Sequence, residues 1–443
     1  GGVFNSAGSS FQATVQGVQW QAVDDGNGDG NPDTGATLTD NARTNAYAWD
    51  STLDSGAALS LPFEPSTGSR GALTRSGVSP VTVTAAEFSG GAASPNDLQY
   101  GEVGSFTLGA SAGNYLNTVG VNITGWSGVI GRFTPYDFSV SSNSPQFTTQ
   151  CAAGNFTYIG QLFGYSVEPV LTVTARNELG GTTQNYTGVW FKITNASLTN
   201  RTYTALTGTV DSTGVSAPDP DIVDQGSGNS ELTFQSNTGL VFQRAAPVAP
   251  FDAEIALSID VRDTDGVIYD PASANNGTYS IGSATAGGGI AFDNGKAMRW
   301  GRATLTNASG SELVDLDVPL TIEYWEDIDP TPATVYSFVT HTADTCTTLA
   351  SGDFGLANYS GNLNPGDTAI SAVTLAAGSG AVTLTAPGNG DDGGVDMVGQ
   401  PSIPSHLYYD WDGDGLHDNP PTARATFGVY TGPPRRIYLR ELY

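Results

Sequence analysis

The chain has 443 residues, with 44 Asp and Glu against 16 Lys and Arg, and a formal net charge of −28. This charge repels nucleic-acid phosphates and anionic lipid, which argues against both as partners. The sequence also lacks a run of 18 apolar residues that could insert into a membrane. Only 14% of the residues are charged, while 57 are Gly and 24 are Pro, so the composition favours a folded protein of turns and short strands over a disordered polyanion.

Alternation of apolar and polar residues begins near the start of the chain, in FQATVQGVQWQAV. Its parity slips at Gly17, where a β-bulge would keep Phe11 and Trp20 on the same face. The alternation recurs in EIALSIDVRD at Ile255, Leu257, Ile259 and Val261, and in LDVPLTIEYWED at Val318, Leu320, Ile322 and Tyr324. Turn clusters separate these segments, and no stretch shows a convincing helical period with caps. The sequence therefore predicts an all-β protein of tandem sandwiches, immunoglobulin-like or jelly-roll-like, without substantial helix.

Two spacers suggest domain limits. GRFTPYDFSV places a Pro between apolar runs at 131–140, and QRAAPVAPFDAEIALSI is an Ala/Pro spacer at 243–259. We expect domains at 1–135, 136–250 and 251–443, with an Asp-rich loop in the first and in the last.

The loop of the last domain is YDWDGDGLHDNP, which gathers like charge at alternate positions. Positions 1, 3, 5, 7 and 9 of a calcium loop are occupied by Asp410, Asp412, Asp414, Leu416 (through its carbonyl) and Asp418, with Gly415 at the sharp turn of position 6. Position 12 is Pro421 where an EF-hand would carry Glu, so the remaining ligands would come from elsewhere.

The first domain contains the same spacing in DDGNGDGNPDTG. The corresponding residues are Asp25, Asn27, Asp29, Asn31 (through its carbonyl) and Asp33, with Gly30 at position 6 and Ala36 at position 12. The two matches predict one Ca²⁺ in each loop, against the alternative of ordinary solvated turns. RDTDG around Asp263 and NGDDGGVD around Asp391 are weaker matches that indicate ordinary turns.

Other signatures of chemistry are sparse. GASAG around Ser111 fits G-x-S-x-G by composition alone, and the three histidines, His341, His406 and His417, lack zinc spacing. Paired carboxylates for glycoside hydrolysis remain an alternative, as does sugar stacking on YWED at 324–327.

The two cysteines, Cys151 and Cys346, lie far apart without C-x-x-C spacing. Lys is nearly absent, and Ser, Thr, Asn and Gly dominate, as in secreted or surface β-proteins. In an exported chain one disulfide between these cysteines is expected, and two free buried thiols are the alternative.

Several strings resemble one family. GKAMRWGRATLTNASGSELVDLDVPLTIEYW, DTCTTL and YDWDGDGLHDNPPTARATFGVYTGPPRRIYLRELY are similar to the C-terminal region of MshQ-like proteins, from the biogenesis cluster of the mannose-sensitive haemagglutinin (MSHA) type IV pilus. GRFTPYDFSV and FQATVQGVQWQAVDDGNGDG resemble the family's middle and starting portions. The resemblance implies an exported envelope protein of a Gram-negative bacterium, a portion of a longer precursor, associated with pili.

The sequence therefore favours a non-enzymatic, calcium-stabilised surface protein, either an adhesin or a filament or tip component. Its expected partners are other pilus or filament subunits, possibly copies of itself, and a glycan or other surface ligand. A secreted carbohydrate-active hydrolase or carbohydrate-binding module is one alternative, and a pilus assembly scaffold is the other.

Overall fold

The structure is a computed structural model that describes residues 2–33, 36–215, 219–235, 239–272, 277–329 and 335–428. It confirms the predicted all-β class. Within these residues the helical segments are three-residue 3₁₀ turns, at Ala22–Asp24, Ala85–Glu87, Tyr115–Asn117, Ala152–Gly154, Gly188–Trp190, Ser351–Asp353 and Ser405–Leu407. None of these helices has the length and apolarity needed to cross a bilayer.

The first unit comprises residues 2–134. Its strands are β1 (Asn5–Ser6), β2 (Ser10–Phe11), β3 (Val15–Gln16), β4 (Ser51–Asp54), β5 (Phe63–Glu64), β6 (Leu73–Arg75), β7 (Val81–Val83), β8 (Ala92–Ala93), β9 (Leu98–Tyr100), β10 (Gly104–Ala112) and β11 (Ile123–Thr134). One sheet has the order β1-β11-β10-β4-β7, with β5 also on β10, and β2-β9-β6 and β3-β8 form two smaller sheets. Strand β1 runs parallel to β11. An aromatic core that includes Phe106 and Phe133 lies between the sheets of this unit.

The opening segment FQATVQGVQWQAV differs from its prediction. Only β2 and β3 are strands there, because the chain leaves the sheet after Gln16. A β-carbon at Gly17 would lie 2.4 Å from the Tyr47 ring, so the close approach of that ring requires glycine. Beyond this point the expected bulge does not form, and Trp20 is 60% exposed instead of lying in the core.

The second unit comprises residues 135–300. Its strands are β12 (Asp137–Ser142), β13 (Gln146–Phe147), β14 (Phe156–Tyr158), β15 (Tyr165–Val167), β16 (Val170–Arg176), β17 (Thr199–Ala205), β18 (Val210–Asp211), β19 (Asp221–Gly226), β20 (Asn229–Thr233), β21 (Val241–Phe242), β22 (Phe251–Asp252), β23 (Ile255–Asp260), β24 (Thr278–Ile281), β25 (Ala291–Phe292) and β26 (Ala297–Arg299). The sheets are β12-β16-β20-β19, β17-β23-β24, β15-β13-β25, β14-β26-β22 and β18-β21.

A single core joins these sheets. The predicted inward residues of β23 and its continuation, Ile255, Leu257, Ile259 and Val261, are all buried in it. Leu232, on the other side of the expected 250/251 limit, packs in the same core.

The third unit comprises residues 301–428. Its strands are β27 (Gly301–Leu305), β28 (Ala308–Gly310), β29 (Leu316–Asp329), β30 (Val335–Thr340), β31 (Phe354–Gly361), β32 (Ile370–Ala376), β33 (Ser379–Leu384), β34 (Gly393–Gly399) and β35 (Thr422–Phe427). Sheet β27-β29-β33-β32, with β30 on β29, packs over sheet β28-β35-β34-β31. Val318, Leu320 and Ile322 point into this sandwich as the alternation predicts. Tyr324 is half-buried because β29 continues past its pairing with β33 into a hairpin with β30.

Glu102 fastens the first unit to the second. Its buried carboxylate accepts hydrogen bonds from the backbone N–H groups of Val103 at 2.8 Å, Gln184 at 3.0 Å and Asn185 at 3.1 Å. Burial raises the pKa of this carboxyl group. The carboxylate thus satisfies three N–H groups that would otherwise lack partners at the joint.

Candidate functional site: the Asp-rich loops and the cluster beside the disulfide

The loop at 410–418 lies between the last 3₁₀ turn and β35. Tyr409 and Asn419 close its base by exchanging backbone hydrogen bonds of 3.0 and 3.2 Å. Inside the loop Asp410 accepts hydrogen bonds from the N–H groups of Gly413 at 2.7 Å and Gly415 at 3.1 Å, so one carboxylate sets the curvature of the loop.

Three predicted ligands converge in this loop. Asp410, Asp412 and Asp414 each direct a carboxylate oxygen to within 4.8 Å of the others. Asp418 is exposed and lies outside that group, and the Leu416 side chain is exposed with its N–H donating to Asp414 at 2.8 Å. Three hard oxygen donors so close together suit a divalent cation and repel one another without one.

The loop at 25–33 repeats the same backbone arrangement. Asp25, which is 8% exposed, accepts hydrogen bonds from the N–H groups of Asp29 at 3.1 Å and Gly30 at 2.8 Å. Asn27 accepts from Asp29 at 2.9 Å, and Asp29 accepts from Asn31 at 2.8 Å. Position 1 thus bonds to position 6, position 3 to position 5, and position 5 to position 7 in both loops.

The two loops also share the backbone conformation at position 6. Gly30 and Gly415, both at position 6, have φ angles of +87° and +86°, a backbone conformation that residues other than glycine adopt only with strain. The loops differ in other bonds. The first has a bond from the Gly26 N–H to Asp33 at 2.9 Å and one from the Asn27 amide to Asp29 at 3.2 Å, and its position 1 accepts from position 5, whereas position 1 of the second loop accepts from position 4. Two segments almost 400 residues apart in sequence therefore fold into one loop type.

The weaker candidate RDTDG has a different role. Asp263 accepts hydrogen bonds from the N–H groups of Asp265 at 2.9 Å and Val267 at 3.0 Å and from the Tyr186 hydroxyl at 2.8 Å. Asp265 forms an ion pair with Arg132 of β11, with one N–H···O distance of 2.8 Å. This turn therefore contributes to the joint between the first and second units.

The structure pairs Cys151 with Cys346 in a disulfide that spans 195 residues of sequence. Cys151, Phe156 and Tyr158 belong by sequence to the second unit but pack in the core of the third. The covalent bond therefore fixes the joint between the second and third units.

Three domain profiles of one family match the chain in order. They are the second domain of DUF6701 over residues 1–94, the third over 102–288 and the fourth over 299–442. The chain belongs to the DUF6701 family. No curated protein and no solved structure matches it.

A buried polar cluster, which no sequence pattern indicates, lies beside the disulfide of the DUF6701 chain. His341 is 0% exposed, and its Nδ1 lies 2.6 Å from the Tyr158 hydroxyl, which donates to Asp344 at 2.8 Å. Arg299 donates to Nε2 of the same imidazole. The Tyr158 hydroxyl uses its proton in the hydrogen bond to Asp344, so it accepts from Nδ1–H of the imidazole, and Nε2 accepts from Arg299. The imidazole is therefore neutral and carries its proton on Nδ1.

The electrostatics of this cluster agree with that assignment. Burial and the neighbouring Arg299 lower the pKa of His341 to about 4. Burial opposes ionisation of Asp344, but hydrogen bonds from Thr347, Tyr158 and Cys346 together outweigh it and lower the pKa of that carboxyl group. Burial also raises the pKa of Tyr158. The DUF6701 chain thus holds a neutral imidazole between an aspartate and an arginine, out of contact with solvent.

Arg244 fills the other side of this joint in the DUF6701 chain. It donates to the backbone carbonyls of His406 at 2.7 Å and Gly301 at 2.8 Å, and its guanidinium lies 3.5 Å from the centre of the Trp300 ring. No carboxylate among the described residues forms an ion pair with it. Burial lowers the pKa of Arg244 to about 9, and burial together with Arg244 lowers the pKa of His406 to about 4.

Proposed function

We propose that this chain is part of an exported, non-enzymatic surface protein of a Gram-negative bacterium, stabilised by Ca²⁺ and associated with MSHA-like type IV pili or another surface filament. In that setting it acts as an adhesin or as a filament or tip component. The sequence resemblance to MshQ-like proteins supports the association with pili. The disulfide supports export, because such bonds persist in oxidising compartments.

The observation that carries the calcium proposal is the repeated loop. Asp410, Asp412 and Asp414, whose carboxylate oxygens lie together, would supply side-chain oxygens in the third unit. In the first unit, where no three described acidic side chains converge in this way, Asp25 and Asp29 would do so. A bound cation would offset the repulsion between the carboxylates and stiffen both loops. The residues present fit this ion because Ca²⁺ takes six to eight oxygens, which leaves places for carbonyls and water.

The buried cluster supports a role other than catalysis. Its acid, base and hydroxyl groups are enclosed, so a substrate has no path to His341 without opening the joint. Ser111 of the G-x-S-x-G match lies within strand β10, away from the strand–turn–helix setting in which such a serine acts as a nucleophile. A hydrolase remains the alternative from another class, and an assembly scaffold remains the alternative within the same class.

Thermal unfolding in 10 mM Ca²⁺ and in chelator tests the calcium proposal. With a dissociation constant of about 0.1–1 mM, each occupied loop would add about 1.4–2.7 kcal/mol at roughly 10 mM Ca²⁺. This gain should be reduced in Asp412→Ala and in Asp29→Ala. Asp391→Ala, in an Asp-Gly turn outside both loops, is the matched control and should retain the full gain. Identical unfolding with and without Ca²⁺ contradicts the proposal.

Antibodies against this chain test the location. We expect them to label intact cells and to detect the protein in sheared pilus fractions. Detection only inside the cell contradicts the surface assignment. Detection on cells but never with filaments after shearing contradicts the pilus assignment. Turnover of a polysaccharide by the purified chain would decide for the hydrolase alternative.

A further inference from the structure

A groove with a volume of about 700 Å³ opens in the first unit beside the loop at 25–33. Its walls come from the segment after β3, from that loop and from strands β10 and β11, and the side chains that matter here are Trp20, Asp24, Asn41, Tyr47, Tyr115 and Asn122. The volume lies within the range of about 300–1,000 Å³ that is typical of small-molecule sites. The groove is distinct from the carboxylate group of the other loop.

Aromatic rings form the apolar part of the groove. Trp20 is 60% exposed, and the rings of Tyr47 and Tyr115 are stacked at 6.0 Å with an interplanar angle of 23°. Tyr47 is held in place by a 3.0 Å hydrogen bond to Ser51 and by edge contact with Phe88. An exposed tryptophan beside fixed tyrosines offers flat apolar surface to a ligand at little cost in side-chain entropy.

A carboxylate lies at the base of the groove. Asp24 is 8% exposed, and one of its oxygens accepts a 2.7 Å hydrogen bond from the Asn41 amide. Its other oxygen has no hydrogen-bond partner within the described part of the chain. Asn41 is itself fixed, because it donates to the Gln19 carbonyl at 3.1 Å and accepts from Gln21 at 2.8 Å. The open oxygen of Asp24 is therefore a pre-oriented acceptor.

Neutral polar groups complete the lining. The side chains of Gln19, Ser111 and Thr124 line the groove and form no hydrogen bond with any other described residue. Asn122 accepts one bond, from the Asn114 N–H at 3.3 Å, and its amide N–H groups have no partner in the described residues. A few unpaired polar groups in a mainly apolar site are what orients a bound ligand.

The charge of the groove restricts the ligand. No Lys or Arg is among the lining residues, Asp24 is, and the chain carries a net charge of −28. An anionic ligand would meet repulsion from Asp24 and from the net charge of the chain, and no Lys or Arg in the lining would offset it. A simple cation would contact Asp24 and the rings but form no hydrogen bonds with the amides and hydroxyls of the lining. The lining therefore favours a neutral ligand with many hydroxyl groups and apolar faces.

We propose that this groove binds a neutral carbohydrate. The C–H faces of the sugar pack on Trp20 and Tyr115, and its hydroxyls donate to the open oxygen of Asp24 and pair with Gln19 and Asn122. This inference deepens the proposed function, since an adhesin with such a groove contacts surface glycans. Its test is separable, because sugar binding is measured on the purified chain and pilus association is measured on cells.

The experiment is calorimetric titration of the full chain with neutral hexasaccharides: maltohexaose, cellohexaose, laminarihexaose, mannohexaose and N-acetylchitohexaose. At least one should bind with a dissociation constant below roughly 1 mM. Trp20→Ala should weaken that binding about tenfold or more, and Asp24→Asn should weaken it without loss of fold. Tyr336→Ala, which removes another exposed aromatic ring in the third unit, outside both Asp-rich loops, is the matched control and should bind as the parent does.

Three outcomes would overturn the proposal. One is that none of the five sugars binds at about 10 mM to a chain that melts cooperatively. Another is that Trp20→Ala binds a sugar as tightly as the parent, which would place the sugar elsewhere. The third is that tetramethylammonium or oligogalacturonate binds to the groove more tightly than every neutral sugar, which would assign it to a cation or an anion.

Discussion

Removal of the disulfide should destabilise the joint between the second and third units. The bond between Cys151 and Cys346 closes a loop of 195 residues. In the chain-entropy description, a loop of this length limits the unfolded ensemble by about 5 kcal/mol at 25 °C. Since a typical domain has only about 5–15 kcal/mol of stability, we expect the double variant Cys151→Ala/Cys346→Ala to lose much of it.

Urea unfolding followed by tryptophan fluorescence measures this loss. Trp300, one of seven tryptophans in the chain, is fully buried beside the joint, so its contribution to the emission changes when the joint opens. The parent, the parent after reduction and the double variant are compared, and the last two should coincide in midpoint. A free-thiol assay on denatured, unreduced parent should detect no thiol.

A small loss of stability in the double variant would refute this reasoning. If the double variant unfolds within about 1 kcal/mol of the oxidised parent, the loop-closure argument fails for this chain. A change confined to the slope of unfolding with denaturant, at an unchanged free energy, would also contradict it because it would point to a different unfolded state.

Three further predictions concern the joints and the sheet of the first unit. Gly104→Ala should destabilise the first unit by about 2 kcal/mol or more in thermal melts, because the φ of Gly104 is +116° and a β-carbon there would lie 1.9 Å from a backbone carbonyl oxygen of β5. Gly128→Ala is the control: it has open space around it and should change stability by less than about 1 kcal/mol. Glu102→Ala should cost about 3 kcal/mol in urea unfolding by leaving three N–H groups unpaired, and Glu102→Gln should cost less. His341 and His406 have pKa values of about 4 in the folded state, below the usual 6.5, so the unfolded state binds more protons between these pH values. The free energy of unfolding should therefore decrease by roughly 3 kcal/mol per group as the pH is lowered from about 6.5 to 4. His341→Gln should reduce this dependence of stability on pH.

Much of the local structure could be predicted from the sequence. Where a strand has one face on a core, as β29 has, the period of two in Val318, Leu320 and Ile322 reports that face directly. The Asp-rich loops are also local in origin, since the positions of Asp and Gly within a tight turn determine its hydrogen bonds, while their binding of Ca²⁺ stays a prediction.

Apart from the disulfide between Cys151 and Cys346, the contacts at the joints could not be predicted because they involve residues distant in sequence. Glu102 accepts hydrogen bonds from Gln184 and Asn185, more than 80 residues away, and the sequence around Glu102 does not indicate these partners. The same holds for His341, whose partner Tyr158 lies 183 residues earlier. Trp20 was predicted wrongly for a related reason: the Tyr47 ring, 30 residues further along the chain, packs against Gly17, where the expected bulge does not form.

The parallel pairing of β1 with β11 has a mechanical consequence. These are the first and last strands of the first unit, and they are joined by hydrogen bonds from the Phe4 N–H to the Arg132 carbonyl at 2.8 Å and from the Ala7 N–H to the Thr134 carbonyl at 2.7 Å. A pull applied to the two ends of the unit draws these strands past each other along their length, so the bonds between them share the load and must break together. The same bonds pulled open from one end would separate one at a time. The first unit is therefore built to resist tension along the chain.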